Sequence, residues 1–238
     1  MAVEAVEIVS LALETSARQG EVALGRSDAL LGVRPIPVPP RGKEHRVDLI
    51  VAVDEFCREH GVGPGDLSEV YVSIGPGSFT GLRNAVTTAK MLSLTLGVRI
   101  VAVPTTDVLV ENAPADLPHV AVCVNTKRDT VYAAEYRRVG DRWELVRPAA
   151  TLPMTQVLAQ GARPLAILGD RHLPEVELPT DVHRLDEALA QPRAEVVWRL
   201  GRAMAKAGRF TDPLELLPLY ARPPEAVELW EARARTAR

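Results

Sequence analysis

Cysteine and histidine are scarce in this sequence, which holds two cysteines and five histidines among 238 residues. Cys57 and Cys123 stand far apart and form no Cys-x-x-Cys pair, so we expect neither a zinc site nor a disulfide framework. No histidine stands four positions from another, so two imidazoles cannot bind one cation from a single helix face. These shortages argue against a histidine-bound metal and against a Cys–His catalytic arrangement.

Long apolar runs and a strong excess of one charge are also missing. No stretch of about 18 uncharged apolar residues occurs, and residues 1–4 lack the pattern of a signal peptide. The formal net charge is −3, from 28 basic and 31 acidic residues, which gives no reason to expect strong independent RNA binding. We therefore expect a cytoplasmic protein without membrane contact, and any contact with RNA would need a partner or a local basic patch.

The apolar residues that are present alternate between strand-like and helix-like spacing. Strands are predicted at residues 7–13, 21–25, 29–33, 70–74, 98–103, 120–125, 130–136, 143–146 and 165–169. Helices are predicted at residues 45–60, from the glycine loop to residue 96, from residue 104 onward, and at 154–160 and 195–207. A strand meander followed by helix–strand alternation occurs twice, which predicts two related α/β halves. We expect an N-terminal half at 1–108, a smaller C-terminal half at 109–212 and a tail at 213–238.

A glycine-rich loop between a predicted strand and a predicted helix is the most informative local feature. Gly75, Gly77, Ser78 and Gly81 form a candidate nucleotide or phosphate loop, because backbone N–H groups at a helix start can bind an anion. Ser78 or Thr80 can cap the helix. The spacing matches neither a Walker motif nor Gly-x-Gly-x-x-Gly, so anion binding and a simple turn both stay open. We also expect Gly77 or Gly81 to need a backbone conformation closed to other residues.

The loop and its continuation, residues 75–83, strongly resemble the signature of the TsaB (YeaZ) family, relatives of glycoprotease-like and sugar-kinase-like ATPases. Further segments match that family in the expected order, at residues 12–16, 43–46, 104–106, 131–136 and 218–222. The resemblance is dense over residues 7–110 and thin from about 140 to 210. It implies a duplicated actin-like ATPase fold (ASKHA, RNase H-like) built from two related α/β halves.

The resemblance also implies a function. Members of this family are noncatalytic subunits of the complex that installs threonylcarbamoyladenosine next to the anticodon of tRNA. They bind a TsaD-type catalytic subunit, and a TsaE-type ATPase joins the complex. We therefore expect a homodimer when the chain is alone, contact with tRNA only through the complex, and no tightly bound cofactor, with ATP or ADP confined to the subunit interface.

Departures from the related enzymes favour a noncatalytic role with no catalytic residue and no metal. Glu14 stands where actin-like ATPases usually place an aspartate, and it remains a candidate contact for a bound cofactor. His45 lies in the region of the relatives' histidine pair, but Leu49 occupies the second position. Two alternatives stay open: a self-sufficient ATP-binding kinase or hydrolase of the same fold, and a glycoprotease-like metallopeptidase.

Two predicted helices carry more apolar surface than one core needs. Val86, Ala89 and Leu96 are expected to face the chain's own core. Seven other residues form the predicted partner interface, which would supply half of a four-helix bundle: Val47, Val51, Ala85, Thr88, Met91, Leu92 and Leu94. The alternative is that the second half of the same chain covers this surface.

Overall fold

Two five-stranded sheets with helices on their faces make up the computed structural model, which describes residues 7–37, 49–127 and 129–221. The segment 43–46, Val47 and most of the tail, from residue 222 onward, lie outside the described residues. The predicted helix at 45–60 is therefore described only from Leu49.

The first sheet has the strand order β3-β2-β1-β4-β5. Strands β1 to β3 form an antiparallel meander, and β4 and β5 run parallel to β1. Helices α1 and α2 cover one face through a shared apolar core. The bounds are β1 Val9–Glu14, β2 Glu21–Arg26, β3 Ala29–Pro35, α1 Leu49–Glu59, β4 Leu67–Ser73, α2 Phe79–Leu96 and β5 Arg99–Val103.

The second sheet repeats the same topology with the order β10-β9-β6-β7-β8. Its meander is antiparallel and its last two strands run parallel to β6, as in the first sheet. The duplication predicted from the sequence pattern is therefore present in strand order and direction. The bounds are α3 Thr105–Val110, β6 His119–Lys127, β7 Thr130–Val139, β8 Arg142–Pro153, α4 Met154–Gln160, β9 Leu165–Leu168 and β10 Val182–Arg184.

Helix α5, Ala194–Lys206, returns from the second half and covers the other face of the first sheet. Trp198 is 7% exposed and donates from Nε1 to Ser10 Oγ at 2.9 Å. Gly25 and Gly201 permit this close packing, because a Cβ at Gly25 would lie 2.2 Å from Trp198 and one at Gly201 would lie 2.4 Å from Tyr71. Residues 194–206 were expected within the C-terminal half at 109–212, and in the structure they pack on the first sheet.

Most predicted elements match the observed ones within a few residues, and the differences have physical reasons. Strand β8 runs well beyond the predicted 143–146, through Pro148. A proline is tolerated there because β8 is an edge strand whose pairing with β7 is irregular between Arg147 and Ala150. Strand β10, with three residues, was not predicted. Across the described residues, no helix combines the length and apolarity needed to cross a bilayer.

Candidate functional site at the glycine loop

The glycine loop joins the end of β4 to the start of α2. Ser78 is the N-cap of α2, and its Oγ accepts a hydrogen bond from the Gly81 N–H at 3.3 Å, which confirms one of the two predicted caps. Gly97 closes the helix in the left-handed conformation. Both ends of α2 are therefore capped by their own residues.

The turn between β1 and β2 packs directly against this loop. The Ser78 N–H donates to the Ser16 carbonyl at 2.6 Å, and Thr15 Oγ1 donates to the Gly81 carbonyl at 2.7 Å. A Cβ at Gly77 would lie 2.3 Å from the Ser16 oxygen, and one at Gly81 would lie 2.0 Å from the Thr15 oxygen. These two glycines are thus required by close backbone approach.

That geometry corrects the predicted reason for the glycines. Among the glycines described, positive φ values occur at five positions, which include Gly75 at 111° but neither Gly77 nor Gly81. The backbone conformation that other residues avoid is therefore at Gly75. The spacing of the loop indicated that some of its glycines could not be replaced. It could not show which of them would lie against the backbone of another segment of the chain.

Thr105, at the start of α3, holds the other side of the loop. Its Oγ1 lies 2.8 Å from Ser73 Oγ and accepts from the Gly75 N–H at 3.0 Å. Its own N–H donates to the Gly75 carbonyl at 2.8 Å. In the sequence, the segment 104–106 matched the family but had no assigned role. In the structure, its Thr105 holds the glycine loop in place.

Residues 217–221, here called the C-terminal strap, cross the same region. The Leu219 N–H donates to the Ile74 carbonyl at 2.7 Å, and a Cβ at Gly75 would lie 2.4 Å from the Leu219 oxygen. At its end the strap reaches the second sheet, where Thr151 Oγ1 donates to the Ala221 carbonyl at 2.9 Å. The strap therefore connects the glycine loop with strand β8.

Glu14 lies at the end of β1, beside this loop, and is fully buried. One carboxylate oxygen, Oε1, accepts from the Ser16 N–H at 2.6 Å and from Ser16 Oγ at 2.5 Å. The other, Oε2, is buried without a hydrogen-bond partner among the described residues. Burial raises the pKa of Glu14, while the hydroxyls of Ser16 and Ser73 act in the opposite direction. This carboxyl group has the environment of an internal structural group rather than of a solvent-facing ligand.

Asp107 of α3, the residue after the matched segment 104–106, meets Tyr136 of the matched segment 131–136 on β7. The Tyr136 hydroxyl donates to Asp107 Oδ1 at 2.6 Å. Burial raises the pKa of both groups, and the Asp107 charge raises the pKa of Tyr136 further.

Within the described ranges, no group of three or more His, Cys, Asp or Glu side chains is arranged to hold a metal ion. His45 lies outside those ranges.

The predicted partner interface divides into exposed and buried residues. Val51, Met91 and Leu94 are 46%, 52% and 68% exposed, whereas Thr88 and Leu92 are partly buried. Ala85 is fully buried beside Val86 and Ala89, so its assignment to the interface is wrong. It lies on the stripe of α2 that faces the chain's own sheet. Leu96, expected in the core, is 38% exposed. Val47 lies outside the described residues.

Comparison with known proteins identifies relatives over nearly the whole chain. The family model of TsaD, tRNA N6-adenosine threonylcarbamoyltransferase, matches residues 32–181, which is more than half of the chain. The tRNA threonylcarbamoyladenosine biosynthesis protein TsaB of Bacillus subtilis (strain 168) is 28% identical over 228 residues, covering 92% of this chain and 96% of that protein. TsaB of Buchnera aphidicola subsp. Schizaphis graminum is 33% identical over 98 residues, covering 40% of this chain and 47% of its own.

Two solved structures share the whole architecture. A Pseudomonas aeruginosa protein with similarity to the peptidase YeaZ is 25% identical, with a TM-score of 0.72 and coverage of 90% of this chain and 100% of its own. YeaZ from Pseudomonas aeruginosa is 24% identical, with a TM-score of 0.70 and coverage of 90% and 99%. Together with the two sheets of equal topology, these matches confirm the predicted duplicated actin-like α/β fold.

Proposed function

The chain belongs to the TsaB (YeaZ) family, within the group that the tRNA N6-adenosine threonylcarbamoyltransferase model matches, and we propose that it is a noncatalytic subunit for that modification. In this role it supports threonylcarbamoyladenosine formation on tRNA by binding a TsaD-type catalytic subunit in the cytoplasm. The near full-length similarity to a TsaB protein supports the noncatalytic branch over the transferase itself.

The observation that carries this proposal is the exposed apolar surface of α1 and α2. Val51 on α1 and Met91 and Leu94 on α2 are each about half exposed or more, although all three are large apolar side chains. The two helices pack side by side over the same sheet. A pair of helices with an uncovered apolar surface can complete a four-helix arrangement with two helices from another chain.

The surroundings of Glu14 support a noncatalytic role. A carboxylate that assists phosphate chemistry through a metal or water must face the cleft, whereas Glu14 is fully buried and bonded to Ser16. The backbone of Thr15 and Ser16 lies against Gly81 and Gly77, where a phosphate loop would need open space. The loop thus serves to lock the β1–β2 turn onto α2.

The remaining parts of the proposal concern the assembly. We place a TsaE-type ATPase in the same complex, with ATP or ADP at its subunit interface. Without its partner, the chain uses the same apolar surface to form a homodimer, in which this surface meets its own copy about a two-fold axis. Stable contact with tRNA occurs within the complex, because a net charge of −3 favours only weak independent binding of RNA by this chain.

The test is reconstitution from purified subunits. The chain alone is expected neither to hydrolyse ATP at a useful rate nor to modify tRNA. Addition of the TsaD-type and TsaE-type subunits should give threonylcarbamoyladenosine, measured by nucleoside mass spectrometry, and omission of this chain should abolish it. The chain and the TsaD-type subunit should co-elute in gel filtration. ATP turnover by the pure chain that disappears in Glu14→Ala would instead favour a self-sufficient kinase or hydrolase.

A further inference from the structure

An exposed aromatic pair stands at the junction of the glycine loop and the C-terminal strap. The rings of Phe79 and Tyr220 lie 4.8 Å apart between centroids, with 30° between their planes. Phe79 is the first residue of α2 and is 46% exposed, and Tyr220 is 37% exposed. The Arg83 guanidinium lies 5.3 Å from the Phe79 ring centroid, one helical turn along α2. Two partly exposed aromatic rings and one exposed cation thus lie together at a single place.

The segments around this pair carry no acidic residue. Residues 15–20, 70–106 and 217–221 contain neither Asp nor Glu, although the chain has 31 acidic residues. Arg83 forms no ion pair with any described residue, and the same holds for Arg18, which is exposed two positions after Ser16. The Ser16 carbonyl accepts the Ser78 N–H, so the turn that carries Arg18 is held against the glycine loop. An overall acidic chain therefore presents a locally basic surface at this point.

We propose that Phe79, Tyr220 and Arg83 form a nucleotide-stacking surface, on which an unpaired base stacks against the aromatic pair while its phosphate meets Arg83 and Arg18. Exposed aromatic side chains beside arginines are how proteins hold single-stranded nucleic acid, since every base offers a π face and every phosphate a negative charge. The surface takes a nucleotide unit, either within single-stranded RNA or as free ATP. The assignment of RNA as its source rests on the proposed role in tRNA modification.

Binding can be measured on the full chain by fluorescence anisotropy, with a short fluorescein-labelled single-stranded RNA at low salt and with ATP as competitor. Phe79→Ala and Tyr220→Ala are each expected to weaken RNA binding about tenfold, the loss of one base–aromatic stack. Phe79→Trp keeps a π face and should retain binding. Arg83→Gln should lower the slope of log affinity against log salt by about 0.7, the value of one phosphate contact with a single strand.

Arg138→Gln is the matched control, because Arg138 also lies over an aromatic ring, that of Trp143 at 5.1 Å, but on the second sheet. It should leave both affinity and salt slope unchanged. Displacement of the RNA by ATP, with equal sensitivity to Phe79→Ala, would identify a free nucleotide as the occupant and support the same surface. Unchanged RNA binding in Phe79→Ala and Tyr220→Ala, with thermal melting as in the wild type, would overturn the proposal.

The reconstituted complex separates this inference from the proposed function. Phe79→Ala should still co-elute with the TsaD-type subunit, because Phe79 lies outside the apolar surface assigned to that partner. Loss of co-elution together with unchanged RNA affinity would make the aromatic pair a protein contact and would overturn nucleotide stacking. If the wild-type chain neither binds the TsaD-type subunit nor supports modification, the proposed function fails, whatever the RNA affinities are.

Discussion

Gly81 and the backbone of Thr15 approach each other more closely than any side chain would allow. A Cβ at Gly81 would lie 2.0 Å from the Thr15 carbonyl oxygen, which is backbone and cannot rotate away. We expect Gly81→Ala to lower the free energy of unfolding by about 1–3 kcal/mol through local strain. Urea unfolding followed by circular dichroism measures this loss.

Gly65→Ala is the control for that change. No heavy atom lies within 4 Å of the added Cβ at Gly65, and its φ is not positive. It should therefore unfold at nearly the wild-type urea concentration. If Gly81→Ala unfolded at the same urea concentration as Gly65→Ala, the β1–β2 turn would be able to move away from the loop at little cost in free energy.

The buried carboxyl of Glu14 gives a prediction about pH. Burial raises the pKa of Glu14 above the ordinary value of 4.5. Between pH 4.5 and this raised pKa, the folded state therefore holds a proton that the unfolded state has already released. Stability is expected to fall as the pH rises from about 4.5 through the raised pKa, and then to level off. Glu14→Gln carries no charge at any pH and should remove this loss.

Urea unfolding of both proteins over a pH series tests the sign. Glu14→Gln should gain stability relative to wild type as the pH rises from acidic to neutral, since the glutamine amide still offers an oxygen to the Ser16 N–H. Glu177→Gln, at an exposed carboxyl group, is the control and should follow the wild type. A stability difference between Glu14→Gln and wild type that does not change with pH would show that Glu14 titrates normally.

At the scale of elements, helix α2 separates a buried stripe from an exposed apolar surface. Met91 is 52% exposed, so the chain can fold with a glutamate at this position whose carboxylate stays in water. In an apolar contact with another chain the same carboxylate would be buried without a partner, which costs several kcal/mol of association. We expect Met91→Glu to melt as wild type does, to run as a monomer in gel filtration and to lose binding to the TsaD-type subunit.

Leu145→Glu provides the matched control for Met91→Glu. Leu145 is 51% exposed on β8, in the other sheet, so the substitution adds the same charge to an equally exposed leucine. It should preserve both dimer and complex. Retention of both by a folded Met91→Glu protein would place the interface away from α1 and α2.

The sequence pattern predicts these elements better than it predicts their faces. Strands β1 and β4 and helix α4 are recognisable because apolar runs end at turn residues. In α2, apolar residues occur on all sides, so periodicity alone cannot separate Ala85, which is fully buried, from Leu94, which is 68% exposed. Strand β10 has only three residues, too few for any period to appear.

At the scale of the whole molecule, the candidate site is built from segments that are distant in sequence. The glycine loop could be recognised from its own residues, and the duplicated fold from the resemblance of the chain to a known family. The contacts between distant segments could not be predicted from the sequence. The hydrogen bond from Thr15 to Gly81 joins residues 66 positions apart, and that from Trp198 to Ser10 joins residues 188 positions apart. Such pairings depend on how the strands and helices are assembled in three dimensions, which local patterns do not encode.

The return of α5 to the first sheet makes the folding of the N-terminal half depend on the end of the chain. Trp198 is nearly buried against β1 and β2, and its Nε1 satisfies the buried Ser10 hydroxyl. We expect Trp198→Ala to lower the free energy of unfolding by about 3–5 kcal/mol, because it removes a large core side chain and the hydrogen bond from Trp198 to the buried Ser10 hydroxyl. Hydrogen exchange should show lost protection in β1 and β4, while β6 and β7 keep theirs.

Trp143→Ala is the control, because Trp143 is a partly buried tryptophan on the second sheet. It should lower the free energy of unfolding by less than Trp198→Ala does and should leave β1 protected. Equal loss of protection in both sheets in Trp198→Ala would mean that the two halves unfold as one cooperative unit, with α5 as their common support.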